Sequence, residues 1–159
     1  MKNETATTAV NYKNIKVKST AFEENGLIPS KYTCDGENIN PPLDLEHVPM
    51  EAKSLVLIVD DPDAPNKTWV HWIVWNIPVT HHIKENDVHG TEGINDGRQH
   101  KYIGPCPPSG THRYFFKIYA LNSLLDLPVS ADKAALETAM SDSIIGFGEL
   151  VGLYRRKGK

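Results

Sequence analysis

Three short stretches of this chain hold residue types that can do chemistry. The first is Asp60-Asp61-Pro62-Asp63-Ala64-Pro65. Three carboxylates within four positions repel one another unless solvent, hydrogen-bond donors or a cation separates them. One of them can orient a histidine, because a carboxylate fixes an imidazole's tautomer and supports its positive charge. The same stretch also reads as a plain solvated acidic turn. A calcium loop fits poorly, since the glycine and the distal Glu of an EF-hand are missing. The second stretch is Val70-His71-Trp72-Ile73-Val74-Trp75. Strand alternation puts His71, Ile73 and Trp75 on one face and Val70, Trp72 and Val74 on the other. A lone histidine there is ordinarily a satisfied core residue, but a hairpin-like link from Asp61 would bring a carboxylate beside it. The third stretch runs from Gly104 through Pro105-Cys106-Pro107-Pro108 to His112-Arg113-Tyr114. His112 and Tyr114, two apart in a strand, share a face. An imidazole beside a phenol suits a phosphoryl or carboxylate oxygen. The bland alternative leaves His112 exposed and Tyr114 capping the core.

The elements that must position these groups are mostly strands. Ile15 to Lys18 alternates and reads as a first strand, after a polar, aperiodic segment over residues 1–13. Residues 25–49 are rich in Gly and Pro and predict an irregular stretch with one short strand near Ser30 to Cys34. Ser54 to Val59 is a continuous aliphatic run, as in a strand buried on both faces, and it stops where Pro62 and Pro65 cannot continue a ladder. Val70 to Ile77 and Arg113 to Leu121 are two further strong strands. The long connection over residues 78–112 is the kind that usually carries function. Ser130 is placed to cap a helix over residues 131–141, after which Ile144, Ile145 and Phe147 dock on the core and Leu150 to Tyr154 forms a last strand. The fold class is therefore mainly β: an antiparallel, sandwich-like arrangement with a short peripheral C-terminal helix.

Composition narrows the classes of function. At 159 residues the chain suits one domain, and 40% hydrophobic with 23% charged residues is the balance of a water-facing globular protein. A net charge of −3 provides no global basic field for nucleic acid. The basic Arg155-Arg156-Lys157-Gly158-Lys159 reads as a solvated tail. No apolar run approaches the ~20 residues of a membrane span, and the N-terminus lacks the apolar core of a signal peptide. A cytoplasmic location follows by default, or a periplasmic or secreted one if a leader has been removed. Two cysteines, Cys34 and Cys106, are too few for a disulfide framework.

In this order and spacing, the three stretches resemble the phosphatidylethanolamine-binding protein family, whose animal member is also called Raf kinase inhibitor protein. The similarity extends to Tyr32-Thr33-Cys34-Asp35-Gly36-Glu37-Asn38, to Pro41-Pro42-Leu43 and to the closing Leu150-Val151-Gly152-Leu153-Tyr154. Asn95-Asp96, the run Tyr114 to Leu121 and the short C-terminus look like the bacterial and archaeal branch. The resemblance implies a two-sheet β-sandwich over residues 14–159 with a pocket for phosphate-like anions. It places Asp61 and His71 in that pocket and has His112 and Tyr114 donate. Pro107 becomes the wall, Ala64, Gly104 and Cys106 the rim, and Trp69 the mouth. Asp60 and Asp63 are assigned supporting roles. The working pairs expected are Asp61 with His71 and His112 with Tyr114. Two positions depart from the family: Leu45 stands where relatives of this branch often carry tryptophan, and Ser143 where many carry histidine. Cys34 and Cys106 both fall in motifs near the pocket. They should remain thiols in a reducing cytosol, and they form a disulfide only if oxidised and less than ~7 Å apart at Cα.

The function implied is a binding module. It takes a phosphate- or carboxylate-bearing small molecule or a phospholipid head group, and it regulates a partner such as a kinase or protease. No cofactor, nucleic acid or resident metal is expected, and the bacterial branch suggests a homodimer. The alternative is a hydrolase with Cys106 or Ser109 as nucleophile and His71 or His112 as base. The chain lacks a nucleophile elbow, so no enzyme is expected. A metal protein using His71, His112 and the aspartates matches no zinc spacing, and His81, His82, His89 and His100 read as solvated loop residues.

Overall fold

Nine strands and two short helical segments make up the described residues 13–157 of the computed structural model. The strands are β1 (Lys13–Asn14), β2 (Lys16–Lys18), β3 (Leu43–Glu46), β4 (Ser54–Asp61), β5 (Trp69–Ile77), β6 (His82–Ile83), β7 (Thr91–Glu92), β8 (His112–Leu121) and β9 (Ile144–Tyr154). A six-stranded sheet has the order β1-β9-β8-β4-β5-β7 and a three-stranded sheet the order β2-β3-β6. Every pairing is antiparallel except that of the two-residue β1 with β9. None of the described helices is long and apolar enough to cross a membrane.

The eight residues of β4 are all buried, as their unbroken apolar run dictates. Leu55, Leu57 and Val59 face the three-stranded sheet and pack with Val17, Leu43, Leu45 and Ile83. Val56 and Ile58 face the opposite way and meet Leu136 and Met140 of α1 (Lys133–Met140). One sheet face thus closes a β-sandwich, and the other is covered by the helix.

The structure corrects several expectations. The cap of α1 is Asp132, whose carboxylate accepts from the Ala135 amide at 3.0 Å; Ser130 lies outside the helix. The strand expected near Ser30 to Cys34 is a 3₁₀ turn over Ser30–Tyr32, closed by the Thr33 amide and hydroxyl on the Ser30 carbonyl. The Gly/Pro-rich segment hides β3, whose Leu43 and Leu45 alternate inward. β9 begins at Ile144, well before the expected Leu150. Arg156 is docked rather than solvated, with Nε 3.2 Å and Nη2 3.1 Å from Asp35 Oδ1. The loose segment expected over residues 1–13 lies outside the described residues apart from Lys13.

The most consequential irregularity is in β5. Val59 pairs with Trp72 and Asp60 with Val70, so His71 is an extra residue in the ladder. Its carbonyl accepts instead from the Ile103 amide at 3.2 Å and from Asn95 Nδ2 at 3.1 Å. Asp96 secures the neighbouring Val70, taking its amide at 2.7 Å. The bulge changes the side-chain parity of the strand. Val70 packs with Ile73 and Trp75 on the helix face, while the His71 ring lies edge-on to Tyr114, whose face is the sandwich interior. Simple alternation had grouped His71 with Ile73 and Trp75.

Candidate functional site

The ends of β4, β5 and β8 and the wall over residues 103–108 enclose a cavity of about 260 Å³. All nine residues expected to bind ligand line it: Asp61, Ala64, Trp69, His71, Gly104, Cys106, Pro107, His112 and Tyr114. Pro65 and Pro108, from the same two stretches, complete the lining with Ile103, which was not anticipated. Nor were Asn95 and Asp96 as the residues that hold the bulge under His71. Their Asn-Asp-Gly sequence is a turn signal, which is the one hint the chain offered.

Strand geometry explains the polar floor. On β4 the inward residues are Leu55, Leu57, Val59 and then Asp61, which is 3% exposed. On β8 the inward residues are His112, Tyr114 and Phe116, the first two at 7% and 1% exposure with stacked rings 6.4 Å apart. Asp61 is satisfied on both oxygens. Its Oδ1 accepts from the Asp63 amide at 2.7 Å and its Oδ2 lies 2.7 Å from His112 Nδ1. The expected pairing of Asp61 with His71 is therefore replaced by one of Asp61 with His112. His71 instead places Nδ1 2.6 Å from the Ile103 carbonyl, which must accept.

Both histidines thus hold a proton on Nδ1, fixed by an acceptor behind them. Neither Nε2 has a hydrogen-bond partner among the described residues. Burial holds His71 below the usual histidine range, against the opposing pull of the Ile103 carbonyl and of Asp61, so its neutral form is favoured. The Tyr114 hydroxyl is buried without a partner among the described residues. Burial, and then the nearby Asp61 and Asp63 charges, push its phenol well above the ordinary value. It is therefore a proton donor in any ordinary buffer.

The remaining acidic residues work elsewhere. Asp63 clamps Arg113 through Nε and Nη2 at 2.9 Å each and also takes the Arg113 amide, which fixes the acidic turn to β8. Those contacts hold its carboxyl below the usual range. Asp60 points to the helix face, where it takes Lys117 at 3.1 Å and Lys133 at 2.8 Å. It does not support the cavity, contrary to the sequence expectation. Leu45 belongs to the sandwich core and Ser143 bonds Ser123 at 3.0 Å, so neither departure from the family lines the cavity.

Cys34 and Cys106 are joined in a disulfide with Cα atoms 5.5 Å apart. Of the two states left open by the sequence, the structure has the oxidised one, a covalent bond between the 3₁₀ turn and the wall. The sulfur of Cys106 therefore carries no free thiolate, and Ser109 is exposed and does not line the cavity. Among the described residues no group of three or more His, Cys, Asp or Glu is arranged to hold a metal ion. A larger cavity, of about 430 Å³, lies along His82 to His89. Its histidines are exposed and already paired with Asp44 and Asp87.

Comparison with known proteins identifies the family and the fold. Residues 18–155 match the model of the family described as phosphatidylethanolamine-binding protein. The UPF0098 protein of Methanothermobacter thermautotrophicus is 50% identical over 150 residues, spanning 89% of this chain and 99% of the relative. A solved phosphatidylethanolamine-binding protein homolog of Chlamydia trachomatis superposes with a TM-score of 0.87 at 40% identity, covering 92% of this chain and 99% of the other. YbcL of Escherichia coli, described as a member of the mammalian family, gives 0.83 at 27% identity over 90% of this chain and 99% of its own.

Proposed function

The chain belongs to the phosphatidylethanolamine-binding protein family, and from that premise we propose that its cavity is a receptor for a small oxyanion. The ligand is a phosphoryl or carboxylate group, free or carried on a lipid head group. One observation carries this reading: the Tyr114 hydroxyl, a donor, is buried without a partner among the described residues, beside two histidine Nε2 atoms that become donors when protonated. A buried donor left unmade is costly, so a site that keeps one is prepared for an acceptor from outside. The Asp63 amide and His112 both hydrogen-bond Asp61 and offset part of its charge toward that acceptor.

Around this polar floor, Ala64, Pro65, Trp69, Pro107 and Pro108 form an apolar collar. A collar of that kind suits the less polar remainder of an amphiphile, while the floor takes its charge. Occupancy of the mouth then regulates a protein partner such as a kinase or protease. A hydrolase is disfavoured, because the cavity offers no hydroxyl nucleophile of the serine type and Cys106 has no free thiolate.

Calorimetric titration with inorganic phosphate tests the proposal. Binding in the micromolar-to-millimolar range is expected, weakened about tenfold or more in His112→Ala and in Asp61→Ala. Undiminished binding in both variants would remove the site.

A further inference from the structure

The two ends of the Cys34–Cys106 disulfide differ in how they are held. On the Cys34 side the chain is fixed many times over. Thr33 bonds back to Ser30 through amide and hydroxyl. Asp35 takes the Tyr154 hydroxyl at 2.6 Å and pairs with Arg156. The Asn38 amide bonds the Lys31 carbonyl at 2.9 Å. On the Cys106 side, hydrogen bonds stop just before the cysteine. Tyr102 donates to the Tyr32 carbonyl at 2.8 Å, Gly104 to Asn38 Oδ1 at 2.7 Å, and the Cys34 amide to the Pro105 carbonyl at 3.1 Å. From Pro107 to Thr111 no hydrogen bond or ion pair is found among the described residues. Two of these residues are prolines without an N–H. The next fixed point is His112, at the start of β8.

Pro107 and Pro108 line the cavity, and so does Cys106. This half of the wall is thus positioned by the disulfide at one end, by β8 at the other, and by packing of the buried Pro107 between them. The disulfide is also within reach of solvent, since Cys106 is exposed and Cys34 half-buried. We infer that the Cys34–Cys106 disulfide is a redox latch on the anion cavity, closed when oxidised and released by a dithiol reductant. This rests on the reading of the cavity as an anion receptor.

The chemistry is ordinary thiol–disulfide exchange. A reductant thiolate attacks one protein sulfur and the Cys34–Cys106 bond breaks. The second reductant thiol then attacks the mixed disulfide. The products are two protein thiols and a cyclic oxidised dithiol, so two electrons and two protons pass to the protein. In the released state, Pro107 and Pro108 keep only packing contacts, and the wall opposite His71, His112 and Tyr114 samples positions that no longer match a bound oxyanion. Binding then has to order the wall, which lowers affinity. In a reducing compartment the latch is open; in an oxidising one it is closed.

The test compares oxidised protein, protein treated with dithiothreitol, and Cys34→Ser, a change that lies outside the cavity. Inorganic phosphate is the titrant. Amide hydrogen exchange of the segment over residues 102–114 is the second readout. Reduction is expected to weaken phosphate binding fivefold or more and to raise exchange in this segment, with the global fold retained. Cys34→Ser should match the reduced protein and ignore dithiothreitol. Equal affinity and equal exchange in both redox states overturn the latch alone. Oxidised protein that binds no phosphate overturns the anion reading instead, and the exchange readout still decides whether the wall is released.

Discussion

Tyr114→Phe should make this protein more stable and its pocket worse. The hydroxyl is buried with no partner among the described residues. Asp61 is near enough to push the phenol up, yet both of its oxygens already accept from the Asp63 amide and His112. An unpartnered buried hydroxyl costs roughly 1–3 kcal/mol. Removing it while keeping the ring retains the contacts with His71 and His112 and relieves part of that cost. A gain of about 1 kcal/mol is expected, which for a chain of this length raises Tm by about 2–4 °C. With an oxyanion bound, the same hydroxyl makes a charge-assisted hydrogen bond worth about 1.5–3 kcal/mol, so affinity should fall about tenfold to a hundredfold. Calorimetric unfolding of the free proteins gives the first quantity and titration with sulfate the second. A free variant destabilised by 1 kcal/mol or more would mean that the hydroxyl has a partner in the empty protein. Unchanged sulfate affinity would mean that it does not face the ligand.

Other outcomes follow from the same geometry. Sulfate stays fully ionised across the range in which histidine titrates, so His71 must gain a proton on Nε2 to donate to it; because burial lowers its folded value, affinity should rise only once pH is below about 6.5, by up to about tenfold per pH unit. A flat profile over that range, or the absence of proton uptake in calorimetry, refutes the proton inventory. His71 acts on stability with the opposite sign. Its folded value is lowered, so below about 6.5 the unfolded chain binds more protons and this contribution to stability shrinks as pH falls. Asp60→Asn should leave sulfate affinity within about twofold while costing about 1–2 kcal/mol, because Lys117 and Lys133 lose their shared carboxylate on the helix face; a tenfold loss of affinity would return Asp60 to the site. Gly104→Ala should destabilise by about 1–3 kcal/mol, since its Cβ would press into the Tyr32 carbonyl oxygen. A wild-type melting temperature in that variant would show the wall to be pliant there.

Much of the scaffold was legible because its signals are local. The aliphatic run of β4, the aromatic run of β8 and the strand at Val70 to Ile77 each announce burial within a few residues. Elements with weak local signals were misread. β3 and the 3₁₀ turn lie in a Gly/Pro-rich stretch whose outcome depends on packing against the large sheet. At α1 the expected cap Ser130 gives way to Asp132, whose carboxylate reaches the Ala135 amide. The direction of Asp60 follows from strand parity. Continuing the parity of Leu55, Leu57 and Val59 puts Asp61 inward and Asp60 outward, while the prolines that follow mask how far the strand runs.

The sequence by itself determined that His112 and Tyr114 face one way, because strand period is a property of the chain alone. It also marked the Asp-Pro-Asp-Ala-Pro turn and the Gly-Pro-Cys-Pro-Pro wall as places where regular pairing must end. Only the tertiary structure decided the rest. His71 reaches the cavity through a bulge, and a bulge is a mismatch between two strands that neither strand encodes alone. Asp61 pairs with His112 rather than His71, although β4 lies between β8 and β5, because the Ile103 carbonyl holds the His71 Nδ1. Cys34 and Cys106, 72 residues apart, meet only because the wall folds back over the 3₁₀ turn. Contacts of that kind depend on where separate segments land in space, and that is set by the packing of the whole domain.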